Sequence, residues 1–311
     1  MTSTFEAAPG ITGIDTKMTG RSRVTSAYLV DADEPVLVET GPSASAEEVH
    51  AGLDGLGIGP GDLAHVVVTH IHLDHAGGIG HIASLFPEAT LWVHERGARH
   101  LADPTRLVQS AAHAYGGEAE LQKLYGTVRP APADRLRALI DGDRIDLGNR
   151  ALQALYTPGH ASHHVALADS STGAIFTGDA VGVHLPDVGF LRPAAPPPEF
   201  DLEQAITSIR AIRARARGTL MFSHYGPTRD VETVCDRAVV TIRTWSEAVR
   251  AGVEAEEDAG AVERRLREAT KADIRGLSED QLDRLEAVGG YRLNAMGLTR
   301  YWRERLEDQS S

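Results

Sequence analysis

Four metal-competent side chains crowd into six residues at His70-Ile71-His72-Leu73-Asp74-His75, directly after Thr69 and the apolar run Val66-Val67-Val68 and just ahead of Gly77-Gly78. A chain written this way has to deliver a strand end to a polar, cation-binding loop. His70 and His72, two positions apart, can point the same way toward one cation, while Asp74 and His75 start a helix and can reach a second cation close by. The two glycines let the backbone turn tightly beside the ions. Imidazole nitrogens and a carboxylate oxygen suit zinc, and also iron or manganese.

Three more residues of the same chemistry stand in the same kind of place. His160 lies in Thr157-Pro158-Gly159-His160, after the alternating segment Ala151 to Tyr156. Asp179 closes Thr177-Gly178-Asp179 after Ala174-Ile175-Phe176, and His224 follows Leu220-Met221-Phe222 in Ser223-His224-Tyr225-Gly226-Pro227. Polar, metal-competent residues at the ends of separate strands are how an α/β scaffold gathers a site from distant sequence.

In this order of motifs the chain resembles the metallo-β-lactamase superfamily, specifically its glyoxalase-II-like hydrolases with a two-metal site. The resemblance runs through about the first three quarters of the chain. It implies a four-layer αββα sandwich holding two divalent metal ions, zinc above all, with iron or manganese as alternatives. It also implies that His70, His72 and His160 hold one ion, that Asp74, His75 and His224 hold the other, and that Asp179 bridges them. Glu39-Thr40-Gly41, after Val36-Leu37-Val38, falls where the family has Asp-Thr-Gly behind the metals, with Glu in place of Asp.

The organisation is compatible with that fold. Strand-like segments at Thr25 to Val30 and Pro35 to Glu39 open the chain, followed by a helix over Ala44 to Leu56. After the metal loop come a helix over Ala76 to Phe86 and a strand over Thr90 to His94. Residues 95–126 read as a helical insertion over the site. A second strand-rich half follows, with Asp169-Ser170-Ser171-Thr172-Gly173 as a hairpin turn. The segment Leu185 to Phe200, with Pro196-Pro197-Pro198, is either a wall of the active-site mouth or a spacer. Residues 1–230 thus read as the catalytic domain and 231–311 as a helical C-terminal extension. Ser278 opens one of its helices with a capping pattern. This tail packs back on the core or forms a homodimer surface, and its Tyr291, Met296, Tyr301 and Trp302 read as packing residues.

The net charge of -13 argues against a polyanion as main partner, since phosphate binding needs clustered Lys and Arg. A small-molecule substrate, and no nucleic acid, is the expectation. Cys235 is the sole cysteine, so no intrachain disulfide forms. Neither a leader-like N-terminus nor an apolar stretch of membrane-spanning length is present, which makes a cytoplasmic location the default and a membrane an unexpected partner.

Two adjacent cations lower the pKa of a shared water from about 15.7 toward roughly 7. The resulting hydroxide attacks a carbonyl of a small ester, thioester or lactone, with Asp74 orienting it and taking up its proton. Around the ligands, Glu39, His163, His164 and His184 are expected to steer imidazoles or touch substrate. β-Lactam hydrolysis is an alternative, although β-lactamases of this family complete the second ion's site with Cys or His rather than a bridging Asp. A superfamily nuclease or phosphodiesterase, an iron-dependent redox enzyme and a non-catalytic binding module on the same fold are the others. Lactonases of the family carry a tyrosine shortly after the bridging Asp, where this chain has Ala180-Val181-Gly182.

Overall fold

Short runs of buried residues, whose successive side chains face opposite ways, build two sheets at the centre of the computed structural model, which describes residues 4–288 and 290–310. Among the described residues, the first sheet takes its strands in chain order: β1 (Thr4–Ala8), β2 (Ile11–Asp15), β3 (Ser26–Val30), β4 (Val36–Val38), β5 (His65–Val67), β6 (Thr90–His94) and β7 (Leu136–Leu139). β1 to β4 pair antiparallel and β4 to β7 parallel. Next in the chain come β8 (Arg144–Asp146), β9 (Ala151–Tyr156), β10 (Val165–Asp169) and β11 (Ile175–Gly178), a separate ribbon of β12 (Val183–Leu185) and β13 (Phe190–Arg192), then β14 (Leu220–Phe222) and β15 (Gly226–Thr228). The second sheet has the order β15-β14-β11-β10-β9-β8.

Parallel pairing needs crossover helices, and the chain supplies them. α1 (Ala46–Gly55) joins β4 to β5, and α2 (Leu73–Ala76) with α3 (Ile79–Leu85) joins β5 to β6. α4 (Glu95–Ala102), α5 (Thr105–Tyr115) and α6 (Glu118–Tyr125) occupy the way from β6 to β7. α7 (Leu202–Arg215) precedes β14, and α8 (Val231–Glu254), α9 (Ala259–Ala269), α10 (Glu279–Ala287) and α11 (Tyr291–Ser310) follow β15.

Alternation decides the layering. Val36, Val38 and Val67 turn inward onto Leu152, Leu167, Phe176 and Met221 of the second sheet. Leu37, Val66 and Val68 turn outward onto Val49 and Leu53 of α1 and Ile79 and Ile82 of α3. On the opposite outer face, Ile175, Leu220 and Phe222 meet Ile209 and Ile212 of α7 and Val234 and Cys235 of α8. The result is the expected four-layer αββα sandwich, in which each fully buried Val or Leu contributes about 1.5–3 kcal/mol. The C-terminal helices close over it: Trp245, Leu266, Tyr291, Leu298 and Tyr301 share a core with Ile206 of α7. Ser278 caps α10 reciprocally with Gln281.

Three local expectations change. The chain opens on the β1–β2 hairpin rather than at residue 25, because short strands broken by Pro9-Gly10 and a bulge carry too little alternation to be read alone. β7, β8, β12 and β13 are likewise short strands with no alternation to announce them. Gly77 and Gly78 adopt ordinary helical φ of -59° and -79°, so tight turning is not their purpose. They permit close approach instead: a Cβ at Gly77 would stand 2.3 Å from the Leu73 carbonyl oxygen, and one at Gly78 would stand 2.9 Å from that of Thr40.

Candidate metal centre

β9, β11 and β14 run in the same direction, because β9 and β11 flank β10 antiparallel and β14 pairs parallel with β11. Their ends carry His160, Asp179 and His224 to one rim, where the segment after β5 delivers His70, His72, Asp74 and His75. The structure brings all seven together. His160 Nε2 lies 3.2 Å from His70 Nε2 and 2.8 Å from His72 Nδ1. A second group forms around His224 Nε2, 3.2 Å from His75 Nε2 and 3.4 Å from Asp74 Oδ2. Asp179 stands between them, with Oδ1 3.4 Å from His75 Nε2 and 3.5 Å from His224 Nε2, and Oδ2 3.5 Å from His160 Nε2.

The outer hydrogen bonds settle the tautomers. His75 Nδ1 donates to Glu39 Oε1, His160 Nδ1 to the Ala194 carbonyl and His224 Nδ1 to the Val24 carbonyl. Thr69 Oγ1 donates to Glu39 Oε1 at 2.6 Å, so His70 Nδ1 donates to Thr69 Oγ1. These four imidazoles therefore turn Nε2 to the interior. His160 and His70 meet lone pair to lone pair, His224 Nε2 faces His75 Nε2, and the buried Asp179 Oδ1 has no hydrogen-bond donor. Such contacts are repulsive until a cation sits among them, and the donor set of imidazole and carboxylate fits zinc, iron or manganese.

Protonation states agree. Burial, then neighbouring imidazoles, hold His70 and His72 well below the ordinary histidine value, which keeps them neutral. Burial opposes the ionised forms of Asp74 and Asp179, yet the surrounding histidines hold both below the usual carboxylate range. Burial also opposes a charged His75, but Asp179, Asp74 and Glu39 outweigh it and push its value up, so His75 carries a proton whose place a cation would take. The negative charge gathered here is that of a site built for cations. A third grouping, Glu39 with His70 and His75, lies behind these two. There Glu39 receives Thr69 N, Thr69 Oγ1, His75 Nδ1 and Ser223 Oγ. Its backbone is held at φ 66°, a conformation that costs about 1–3 kcal/mol in a non-glycine residue.

The remaining expectations divide. His164 Nε2 accepts from Asp179 N at 3.1 Å and its Nδ1 donates to Thr157 Oγ1, so it braces the Asp179 backbone rather than facing the cavity. Gly178 is required beside it: at φ 48°, a Cβ would come within 2.4 Å of His164 Nε2. His184 is not brought to the cavity. Its ring packs 5.1 Å from Phe222, burial pushes its pKa down to about 4, and only its backbone serves the site, donating to the His224 carbonyl. His163 lines the cavity, its ring stacked 6.1 Å from that of His70.

Over the centre lies a cavity of about 730 Å³. His72, Asp74, His160 and Asp179 form part of its wall; α4, α5 and α6 cover it, Ala194 to Glu199 bound it and Leu293 and Asn294 of the tail reach it. The helical insertion and the proline-rich segment are thus both walls. Tyr115 and Tyr125 line it as well, with Tyr125 Oη donating to Tyr115 Oη at 2.6 Å. Burial, then the charge of Asp74, pushes the Tyr115 phenol above its ordinary value, so it keeps a proton to donate. Sequence reading missed this phenol because it arrives from an insertion far from the metal motifs.

A family model described as the metallo-beta-lactamase superfamily matches residues 20–224. The metallo-beta-lactamase fold-containing protein ST1585 of Sulfurisphaera tokodaii is 27% identical over 136 residues, 43% of this chain and 50% of that one. The acyl-coenzyme A thioesterase MBLAC2 of Gallus gallus is 32% identical over 139 residues, 40% of this chain and 44% of that one. The chain thus spans half or less of these curated relatives' length. A metallo-beta-lactamase family protein of Thermus thermophilus, TTHA1429, superposes with a TM-score of 0.68 at 20% identity, covering 96% of this chain and 95% of that one.

Proposed function

Since the chain belongs to the metallo-beta-lactamase superfamily, we propose that it is a metal-dependent hydrolase of a small ester, thioester or lactone, of the glyoxalase-II-like two-metal branch. One observation carries this reading. Two adjacent triads, His70, His72 and His160 beside Asp74, His75 and His224, turn ligand atoms inward, with one oxygen of Asp179 toward each.

In this reading His70, His72 and His160 hold one divalent ion, Asp74, His75 and His224 hold a second, and Asp179 serves both. Bound there, the ions supply Lewis acidity and bring the pKa of bound water from about 15.7 toward roughly 7. The chain's own residues do the rest. Asp74, ionised and the more open of the two carboxylates at 18% side-chain exposure against 8% for Asp179, orients the attacking water and accepts its proton. Glu39 and the Ala194 and Val24 carbonyls fix the imidazoles, and His164 fixes Asp179. Tyr115 offers a proton to an oxygen of the substrate on the cavity side. The thioesterase name of the Gallus gallus relative supports the thioester among the three substrate classes.

Elemental analysis of the purified protein, followed by a screen of thioesters, lactones, β-lactams and phosphodiesters, tests the reading. Bound zinc, iron or manganese with turnover of a carboxylic thioester, ester or lactone is expected. A protein that takes up no metal, or that cleaves only phosphodiesters, contradicts it.

A further inference from the structure

The cavity over the centre is lined by acidic, basic and apolar side chains. Arg106, Leu107, Ser110, Ala111, Ala114 and Tyr115 of α5 all line it, one stripe of that helix. At 1.5 Å per residue, Arg106 and Tyr115 stand about 14 Å apart along the axis. Tyr115 shares the cavity wall with Asp74, and Arg96 and Arg99 of α4 line the cavity together with Arg106.

All three guanidinium groups belong to exposed residues. Among the described residues none of them lies within ion-pair distance of a carboxylate, while most other arginine side chains in ion pairs face Asp or Glu on the outer surface. Arg96 rests 6.0 Å from the Tyr156 ring centre, and Arg99 Nε donates to His100 Nε2. Two further carboxylates line the same cavity: Glu199, which accepts from Ser162 N at 2.9 Å, and Glu95. In a chain of net charge -13, three guanidinium groups on the wall of one cavity, none of them in an ion pair among the described residues, leave positive charge there for an anion to meet. A cavity rim of one sign raises the local concentration of the opposite one.

Building on the hydrolase reading above, we propose that the substrate is an acyl ester or thioester carrying an anionic group, phosphate or carboxylate, which docks on Arg96, Arg99 and Arg106 while its apolar part lies along Leu107, Ala111 and Leu293. Guanidinium forks match both anions in geometry and charge. The span of about 14 Å along α5 leaves room for several bonds between the anion and the scissile carbonyl.

Three thioesters test the proposal on the metal-loaded enzyme: hexanoyl-coenzyme A, with phosphates on the leaving group; adipoyl-N-acetylcysteamine, with a carboxylate on the acyl chain; and neutral hexanoyl-N-acetylcysteamine. One anionic thioester is expected to show a kcat/KM about tenfold or more above the neutral one. Which one it is distinguishes the two sources. That advantage should shrink in about 0.5 M salt and fall most of the way to unity in the Arg99→Gln/Arg106→Gln variant. No anionic preference in the wild type, or a preference retained in the variant, overturns the proposal. Calorimetric titration with desulfo-coenzyme A and with adipate gives a readout independent of turnover, and one of them should bind about tenfold more weakly to the variant. Arginine-dependent binding with none of the thioesters cleaved would leave the anion site standing and remove the hydrolase reading. Thioester turnover without anionic preference or arginine-dependent binding would do the reverse.

Discussion

His72 differs from the other four histidines of the centre in the nitrogen it offers. It turns Nδ1 toward His160 Nε2 at 2.8 Å, whereas His70, His75, His160 and His224 turn Nε2 inward. Its place is set by the β5–α2 connection alone, so truncation removes a donor without disturbing a strand. His72→Ala is expected to deplete metal and lower kcat/KM by more than the about hundredfold typical of outer-sphere losses, read by elemental analysis and kinetics on the same sample. Full activity in that variant would refute the assignment. Tyr115 acts from the opposite wall. With Tyr125 donating to it, its own proton is left for an acceptor in the cavity. Tyr115→Phe should lower kcat/KM about tenfold or more with metal content unchanged; an unchanged rate would reduce the phenol to a packing residue.

At the scale of elements, the second sheet is fastened to the first through Arg150, whose buried ion pair lies within the second sheet while its remaining nitrogen reaches carbonyls of the first. Arg150, just before β9, donates through Nε and Nη2 to Asp169 at the end of β10, at 2.9 and 2.6 Å, and through Nη1 to the carbonyls of Gly10 and Asp31. Arg150→Met strands the Asp169 charge and should cost about 3 kcal/mol in denaturant unfolding. The pH dependence has a definite sign. Burial works against the ionised Asp169, but Arg150 and Thr172 hold its folded value below the ordinary carboxylate value of about 3.9. The unfolded chain therefore binds the proton more readily between those two values. The stabilisation is complete above about 3.9 and is lost as the pH falls through the folded value, a loss the variant should not show. Unfolding curves of wild type and variant that fall in parallel on acidification would contradict this.

For the whole molecule, the centre joins both sheets: the segment after β5 belongs to the first, and His160, Asp179 and His224 to the second. Ions bound there would stabilise the folded state by linkage, by about 4 kcal/mol when free metal is a thousandfold above Kd. Chelation should accordingly abolish turnover and lower Tm by several degrees in calorimetry, with recovery on adding metal. An unchanged Tm would mean that the lone pairs facing one another are satisfied some other way. No helix among the described residues is long and apolar enough to cross a membrane.

Much of this was legible in the chain itself, because the physics involved is local. Strand-like apolar runs announced β3, β4 and β6, alternation announced β9, and a polar metal-competent residue after an apolar run announced the rim at which His70, His160, Asp179 and His224 gather. The β1–β2 hairpin and the short strands β7, β8, β12 and β13 escaped, since their stability comes from neighbours across the sheet rather than from their own pattern. What tertiary structure alone decided is the surround. His164 turned out to brace a backbone, His184 fell behind Phe222, and α4, α5 and α6 set Tyr115 and three arginines over a centre that their sequence positions do not adjoin. Ligand identity depends on side-chain chemistry written in consecutive letters, whereas the shape and charge of a cavity depend on which distant surfaces packing brings face to face.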